Sequence, residues 1–271
     1  MINRTVNSRI SNEKSYKGGW ILTLNNELII FIHIAKTGGT TLRDILDKQY
    51  GTNSLFMYAH KTIEHLNSKT KVINMLKDHI DSAEAITGHF RFGMKYDEID
   101  EPILSLIKHY RNINYISMLR KPVDRLFSQY HHYKRNNWLD SEITFKQFVN
   151  QKLYTCNHQT LCISGTNTPN LTIAKNNILK YFALVGITDM YKESLFLMKE
   201  HFKWRDIEYQ KLNCFIKPSR IKNLPNELIK KINSDNNLDL KLYMFAKQLL
   251  KKNIKSLNKS QKKKLRYFSP F

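Results

Sequence analysis

The sequence predicts an α/β fold with a central, largely parallel sheet flanked by helices. Apolar stretches of strand length lie at residues 28–34, 83–87, 115–119 and 182–187. Amphipathic segments of helix length follow most of them, and this alternation is typical of a parallel sheet. The chain has 271 residues and is 41% hydrophobic, so it can bury a substantial core.

The predicted helices carry apolar residues at helical spacing, which indicates their buried faces. After the first strand this face consists of Leu42, Ile45 and Leu46, and after the third of Val123, Leu126, Phe127 and Tyr130. A helix is also predicted over 190–202, with Asp189 as its N-cap. A late helix is marked by Leu238, Leu242, Phe245 and Leu249.

Domain organisation follows from composition. Residues 1–19 are polar and predicted to be a loose arm, residues 20–254 a single domain, and residues 255–271 a basic C-terminal tail. No apolar run is long enough for a membrane span, and the N-terminus lacks the apolar segment of a signal peptide. We therefore expect a soluble protein that stays in the cytoplasm.

The formal charge of +21 raises the question of an anionic partner. Residues 251–271 contribute eight basic and no acidic side chains, and removing them still leaves +13. The excess is thus spread along the chain, which suits an anionic cofactor and substrate as well as nucleic acid. The cysteines are too few and too scattered for a disulfide framework or a zinc site, and no metal is expected; they are Cys156, Cys162 and Cys214.

The segment HIAKTGGTTL, residues 33–42, joins the first strand to the first helix. Glycine at 38 and 39 permits a tight turn that brings backbone N–H groups close to an anion, and Thr40 and Thr41 are predicted to cap the helix. Lys36 precedes the glycines, whereas in the loop of nucleoside-triphosphate enzymes lysine follows them. An ordinary strand–helix turn that uses glycine for geometry alone is the competing interpretation.

The segment SMLRKPVDRLFSQY, residues 117–130, contains a second candidate anion site. The strand ends at Arg120, Pro122 suits a first helical position, and Ser128 lies on the polar side of the helix with Asp124. A nucleoside triphosphatase needs an aspartate for magnesium at such a strand end. A guanidinium is instead a bidentate phosphate clamp, so the sequence predicts phosphate binding by charge and backbone without a metal. A salt-bridged surface arginine is the alternative.

Together these two segments resemble the cofactor-binding elements of sulfotransferases that use 3′-phosphoadenosine 5′-phosphosulfate (PAPS), and most closely the carbohydrate group that includes heparan sulfate 2-O-sulfotransferase and bacterial relatives. ITGHFRFG, CNHQTLCISG, FALVGITDMYKESL and NNLDLKLYMFAK resemble later segments of the same family, in order. The resemblance implies a three-layer, P-loop-like fold and a PAPS-dependent sulfotransferase. Leu161 and Cys162 depart from the arginine and aromatic residue that the family often has after Gln-Thr, and Ala35 from its proline.

The resemblance also assigns roles. His89 is placed at the family's catalytic base, and an imidazole suits that task near neutral pH. Lys36 is the second catalytic candidate, as the cation next to the departing phosphate oxygen. The 5′ end of PAPS would be bound by Lys36, Thr37, Gly38, Gly39, Thr40 and Thr41, and its 3′-phosphate by Arg120 and Ser128. Arg91 is a candidate contact of an anionic acceptor, with a surface role equally open.

Three other functions compete with this interpretation. A P-loop kinase or nucleoside triphosphatase would need the Gly-Lys-Ser/Thr order and a strand ending in Asp, and neither is present. A basic nucleic-acid-binding protein would need a basic recognition element, and a sulfotransferase fold without activity is the third. We expect a carbohydrate acceptor, with the positive charge favouring an anionic one, and no nucleic acid. His33 is expected to be packed in the sheet, His131 and His132 not to bind metal, and Trp138 and Trp204 to lie in the core.

Overall fold

The computed structural model describes residues 27–58, 74, 78–95, 112–205, 207 and 223–269. Within them, five strands form one sheet: β1 (Glu27–Ile32), β2 (Ser54–Met57), β3 (Ala85–Gly88), β4 (Asn112–Leu119) and β5 (Phe182–Ile187). Their order across the sheet is β2-β3-β1-β4-β5, and every neighbouring pair is parallel. The arm predicted for residues 1–19 lies outside the described part of the chain.

The helices of the described residues flank this sheet. They are α1 (Gly39–Tyr50), α2 (Pro122–Arg135), α3 (Phe145–Asn150), α4 (His158–Ser164), α5 (Leu171–Tyr181), α6 (Tyr191–Phe202), α7 (Asn226–Asp235), α8 (Asn237–Ser256) and α9 (Lys259–Tyr267). The predicted P-loop-like α/β fold with a central parallel sheet flanked by helices is therefore confirmed. None of the described helices is long and apolar enough to cross a membrane.

Strand β1 occupies the centre of the sheet because its sequence suits burial on both faces. In ELIIFI every residue after Glu27 is buried, as expected of an inner parallel strand. Ile32 pairs with Gly88 of β3 and with Ser117 of β4, whose hydroxyl also donates to the carbonyl oxygen of Ile32 at 2.8 Å. This register brings the carboxyl ends of three strands to one edge, where open α/β sheets bind ligands.

Two apolar clusters support the sheet edge. The main core surrounds the strands and includes Leu42, Ile45 and Leu46 of α1, as predicted. A second cluster joins α2 to α3 and α7, and it contains the predicted buried face of α2: Val123, Leu126, Phe127 and Tyr130. Pro122 is the first residue of α2, also as predicted. Helix α2 is therefore packed through its apolar side, and its polar side is available to the candidate site.

Several local predictions were wrong. Strand β2 was not foreseen, because SLFM is short and contains no β-branched residue. Asp189 is not the N-cap of α6: it lies in a short 3₁₀ turn and binds the hydroxyl of Tyr243 and the ammonium of Lys247. Trp204 is buried, but Trp138 is 66% exposed and does not belong to the core.

The C-terminal region contains a helix where a tail was predicted. Helix α9 has no buried residue of its own, yet Leu265 and the following Phe268 pack against the main core. In α8 the buried stripe includes Leu242, whereas the other three predicted positions are only partly buried. Cys156 and Cys162 are free thiols, and Cys214 lies outside the described residues.

Candidate active site

The loop between β1 and α1 turns through two left-handed residues, Lys36 (φ 69°) and Gly38 (φ 88°). Gly38 is the N-cap of α1 and supplies no capping side chain; the predicted capping by Thr40 and Thr41 is wrong, since both lie inside the first turn. The hydroxyl of Thr37 donates to the carbonyl oxygen of Ile34 at 2.8 Å. The first turn of α1 also has no acidic residue, so it presents N–H groups and positive potential to an anion.

The connection between β5 and α6 holds this loop in place. The hydroxyl of Thr188 lies 2.7 Å from the carbonyl oxygen of Thr37 and 3.1 Å from that of Leu119 at the end of β4. The hydroxyl of Tyr191 donates to the carbonyl oxygen of Gly38 at 2.8 Å. Side chains thus satisfy the carbonyl groups of the loop, and the loop is preorganised. Neither Thr188 nor Tyr191 carries a sequence signal beyond its place after a strand.

Lys36 is a half-buried cation among other cations. Burial, and to a smaller extent the charges of Arg135 and Arg120, lower its pKa to about 8. The guanidinium of Arg120 donates through Nη1 to the carbonyl oxygen of Lys36 at 3.2 Å. The predicted pair of Lys36 and Arg120 is therefore brought together, and the site is electropositive.

Ser128 lies in the second turn of α2 and is partly exposed, on the side of the helix away from the apolar cluster. Asp124 is also partly buried there; burial raises its pKa, and the nearby Arg120 and Lys121 act against the rise. Further along the helix, burial lowers the pKa of His132, and the charges of Lys36 and Arg135 add to this effect. The polar side of α2 therefore faces the loop.

His89 follows β3 directly and is exposed. Its Nδ1 lies 2.5 Å from the carbonyl oxygen of His33, which can only accept, so Nδ1 carries the proton in the neutral ring. The lone pair is then on Nε2, the nitrogen that a general base uses. The arrangement suits the predicted role of His89 as base, which stays a prediction.

His33 lies in the candidate site, although the sequence predicted only that it would be packed in the sheet. Its ring is buried, as expected, and lies 4.6 Å from the ring of His89. Its Nδ1 is 2.7 Å from the hydroxyl of Tyr58, whose ring packs edge-on against His89 at 4.8 Å. Burial and the neighbouring His89 keep the pKa of His33 well below its usual range, so this imidazole is neutral.

Gly39 lets helix α1 approach this histidine pair. A Cβ atom at position 39 would overlap the ring of His33, so the second glycine is required by a close contact rather than by its backbone angles. Arg91, the candidate acceptor contact, donates from Nη1 to the carbonyl oxygen of Thr166 at 2.7 Å. It therefore helps to anchor the turn after β3, and a contact with acceptor stays a prediction.

The histidines outside the site have no predicted role in binding or catalysis. His131 contacts Phe127 and His132 contacts Trp138 through their rings. No group of three or more potential metal ligands is found among the residues that the structure covers. His79 is exposed, whereas His60 and His65 lie outside the described residues.

This chain is similar to known proteins in sequence and in fold. The Sulfotransferase family matches residues 21–268. Heparan sulfate 2-O-sulfotransferase hst-2 of Caenorhabditis elegans is 23% identical over 209 residues, and the match covers 65% of this chain and 60% of that protein. The chain thus spans less than two thirds of the length of this relative.

Two solved structures are also similar. Mouse sulfotransferase SULT7A1 complexed with PAP has a TM-score of 0.41 at 13% identity, with 78% of this chain and 64% of that chain covered. Retinol dehydratase in complex with androsterone and inactive cofactor PAP has a TM-score of 0.37 at 12% identity, with 89% and 79% covered.

Proposed function

This chain belongs to the sulfotransferase family, and we propose that it transfers the sulfuryl group of PAPS to a hydroxyl of a carbohydrate acceptor. One observation carries the proposal: the ends of β1, β3 and β4 bring Lys36, His89 and Arg120 to the same edge of the sheet. Lysine and arginine are the groups that hold phosphates by charge, and histidine is the group that removes a proton near neutral pH.

The loop and α2 suit the two ends of the nucleotide. The electropositive start of α1 and Lys36 would hold the 5′-phosphosulfate, together with the backbone and hydroxyl donors of residues 37–41. Arg120 and Ser128 would hold the 3′-phosphate, which ATP lacks. PAPS supplies the activated sulfuryl group when it is bound. Lys36 would stabilise negative charge on the phosphate side of the site.

His89 would take the proton of the acceptor hydroxyl at Nε2. The bond from Nδ1 to the carbonyl oxygen of His33 fixes the tautomer that this task requires. The same carbonyl oxygen favours the imidazolium that forms, because the hydrogen bond from Nδ1 becomes stronger when the ring is charged. The neutral ring of His33 beside it adds no positive charge that would oppose protonation of His89.

The acceptor class rests on two observations. The curated relative is named for heparan sulfate, a polysaccharide that carries sulfate groups. The chain has a formal charge of +21, and such a field attracts a polyanion. We therefore propose an anionic carbohydrate.

The nucleotide is tested by calorimetry without metal, with 3′-phosphoadenosine 5′-phosphate (PAP), AMP and ATP as ligands. We expect PAP to bind tightly, and AMP and ATP to bind more weakly. Arg120→Ala should weaken PAP binding by roughly tenfold or more, since a bond to a charged group contributes about 1.5–3 kcal/mol. The affinity for AMP should change little. Arg205→Ala, at an exposed position, serves as the control. Binding of ATP that requires magnesium, or the absence of nucleotide binding, would contradict the proposal.

The base and the acceptor are tested by sulfuryl transfer from PAPS. His89→Ala should lower kcat by about 10²–10⁴-fold and leave PAP affinity unchanged. His79→Ala is the matched control, because His79 is exposed and precedes strand β3, whereas His89 follows it. Desulfated heparan-type chains, a neutral glycan and a tyrosine peptide are compared as acceptors. Transfer to the peptide alone would refute the carbohydrate assignment.

A further inference from the structure

The side chain of Gln159 binds both backbone groups of Arg120. Its Oε1 accepts from the N–H of Arg120 at 2.9 Å, and its Nε2 donates to the carbonyl oxygen of Arg120 at 2.9 Å. Arg120 lies one residue beyond Leu119, which is the last residue of β4 paired with β5. The amide of Gln159 therefore takes the place of a neighbouring strand where the sheet has ended. Gln159 is fully buried.

A buried carboxylate holds Gln159. Asp239 of α8 is 1% exposed, and its Oδ2 accepts from the backbone N–H of Gln159 at 3.1 Å and from Nε2 at 3.4 Å. Its Oδ1 accepts from the backbone N–H and the hydroxyl of Thr160 at 2.7 and 2.8 Å. Four donors thus satisfy this carboxylate, as a buried charge requires. Burial raises the pKa of Asp239, and the Arg125 guanidinium opposes that rise.

Helices α4 and α8 cap each other. While Asp239 accepts from the first turn of α4, the Oδ1 of Asn157 accepts from the N–H of Leu238 at 2.9 Å and of Asp239 at 3.2 Å, in the first turn of α8. Each helix start thus receives its acceptor from the other chain segment. This double contact leaves Gln159 little freedom to move relative to α8.

From these contacts we propose that Gln159 and Asp239 are positioning residues for Arg120, setting the place of its guanidinium and thereby the preference for a 3′-phosphorylated nucleotide. The inference rests on the proposed function. The backbone of Arg120 is held by Gln159, and its Nη1 by the carbonyl oxygen of Lys36. The guanidinium is thus fixed between the sheet edge and the phosphate loop.

The test replaces Gln159 by methionine, which keeps the volume and removes both bonds to Arg120. Calorimetry measures the affinity for PAP and for AMP, which differ in the 3′-phosphate. We expect the Kd of PAP to rise by about tenfold, because small displacements of a binding group are costly, and that of AMP by less than about twofold. Thr160→Val is the matched control: it also loses a bond to Asp239 in a fully buried position, but Thr160 does not contact Arg120.

A double-mutant cycle separates positioning from general damage. In an Arg120→Ala background, Gln159→Met should weaken PAP binding no further, since its effect passes through Arg120. Additive losses, equal losses for PAP and AMP, or the same loss of PAP preference in Thr160→Val would each overturn the inference. If the Gln159→Met chain does not fold, Gln159→Asn provides the test, because its amide stays neutral beside Asp239 and is one methylene too short to bind both backbone groups of Arg120.

The wild-type chain distinguishes this inference from the proposed function. Equal affinity for PAP and AMP would refute the proposed function and the inference with it. A preference for PAP that Gln159→Met retains in full would refute the inference alone.

Discussion

Binding of a phosphorylated nucleotide next to Lys36 is expected to take up a proton at mildly alkaline pH. Burial and the charges of Arg135 and Arg120 lower the pKa of Lys36 to about 8 in the ligand-free protein, from an ordinary value of 10.5. A bound anion favours the ammonium form and raises this pKa again. Lys36 is therefore partly neutral before binding and charged after it.

The size of the effect follows from the two pKa values. If binding restores the ordinary value, Lys36 takes up about 0.1 proton at pH 7, about 0.5 at pH 8 and about 0.9 at pH 9. A group whose pKa rises on binding strengthens binding at pH values below the pKa that it has in the complex. Between the pKa of the free protein and that of the complex, binding is accompanied by proton uptake. The affinity for PAP should therefore fall as the pH rises from 8 to 10.

The assay is titration calorimetry of PAP in two buffers with different ionisation enthalpies, between pH 7 and 9. The difference in observed enthalpy gives the number of protons taken up. Lys36→Arg is the control, because arginine keeps the charge and does not titrate in this range. Uptake that stays constant from pH 7 to 9, or that persists in Lys36→Arg, would refute the reasoning.

Three further outcomes are expected. Gly39→Ala should lower the free energy of unfolding by about 1–3 kcal/mol in denaturant titration, because the new Cβ overlaps the ring of His33. Adding His33→Ala should restore part of this stability. If it restores none, the predicted clash with His33 is wrong. The lowered pKa of His33 means that the unfolded chain binds a proton more readily, so stability should fall below about pH 6.5, by at most about 1.4 kcal/mol per pH unit. The pH dependence of stability should be weaker in His33→Asn and unchanged in a variant of the exposed His79. If it changes in the His79 variant and not in His33→Asn, the assignment to His33 is wrong. Thr188→Val, which removes the hydroxyl that anchors the phosphate loop, should raise the Kd of PAP several-fold with little effect on the circular dichroism spectrum; an unchanged Kd would show that the loop is held without it.

The sheet could largely be predicted because its strands are buried on both faces and read as continuous apolar runs. Strand β5 was predicted with its observed bounds, whereas β1 was predicted over 28–34 and spans Glu27–Ile32, because Ile34 is buried outside the ladder. Strand β2 was missed, since SLFM is short and contains no β-branched residue, unlike the equally short β3. Trp138 was misplaced because composition cannot tell a core tryptophan from one exposed in the turn after a helix.

The location of the candidate site could be predicted where its residues follow directly on strands. Lys36 and Arg120 each stand at a strand end, so their sequence position already implies a common edge. The contacts that connect elements could not be foreseen: Tyr58 reaches His33, and Asp239 reaches Gln159 from 80 residues away. The resemblance to the family pointed to the Gln-Thr segment, but its link to Arg120 exists only in three dimensions.

The mutual capping of α4 and α8 has a consequence for the order of events during synthesis. Arg120 leaves the ribosome about 120 residues ahead of Asp239, a delay of roughly 6–24 s at about 5–20 residues per second. Until α8 emerges and docks, the first turn of α4 lacks its carboxylate and the backbone of Arg120 lacks a fixed support. A nascent chain can therefore form its central strands early, yet the backbone of Arg120 gains its support only after α8 has been synthesised and has docked.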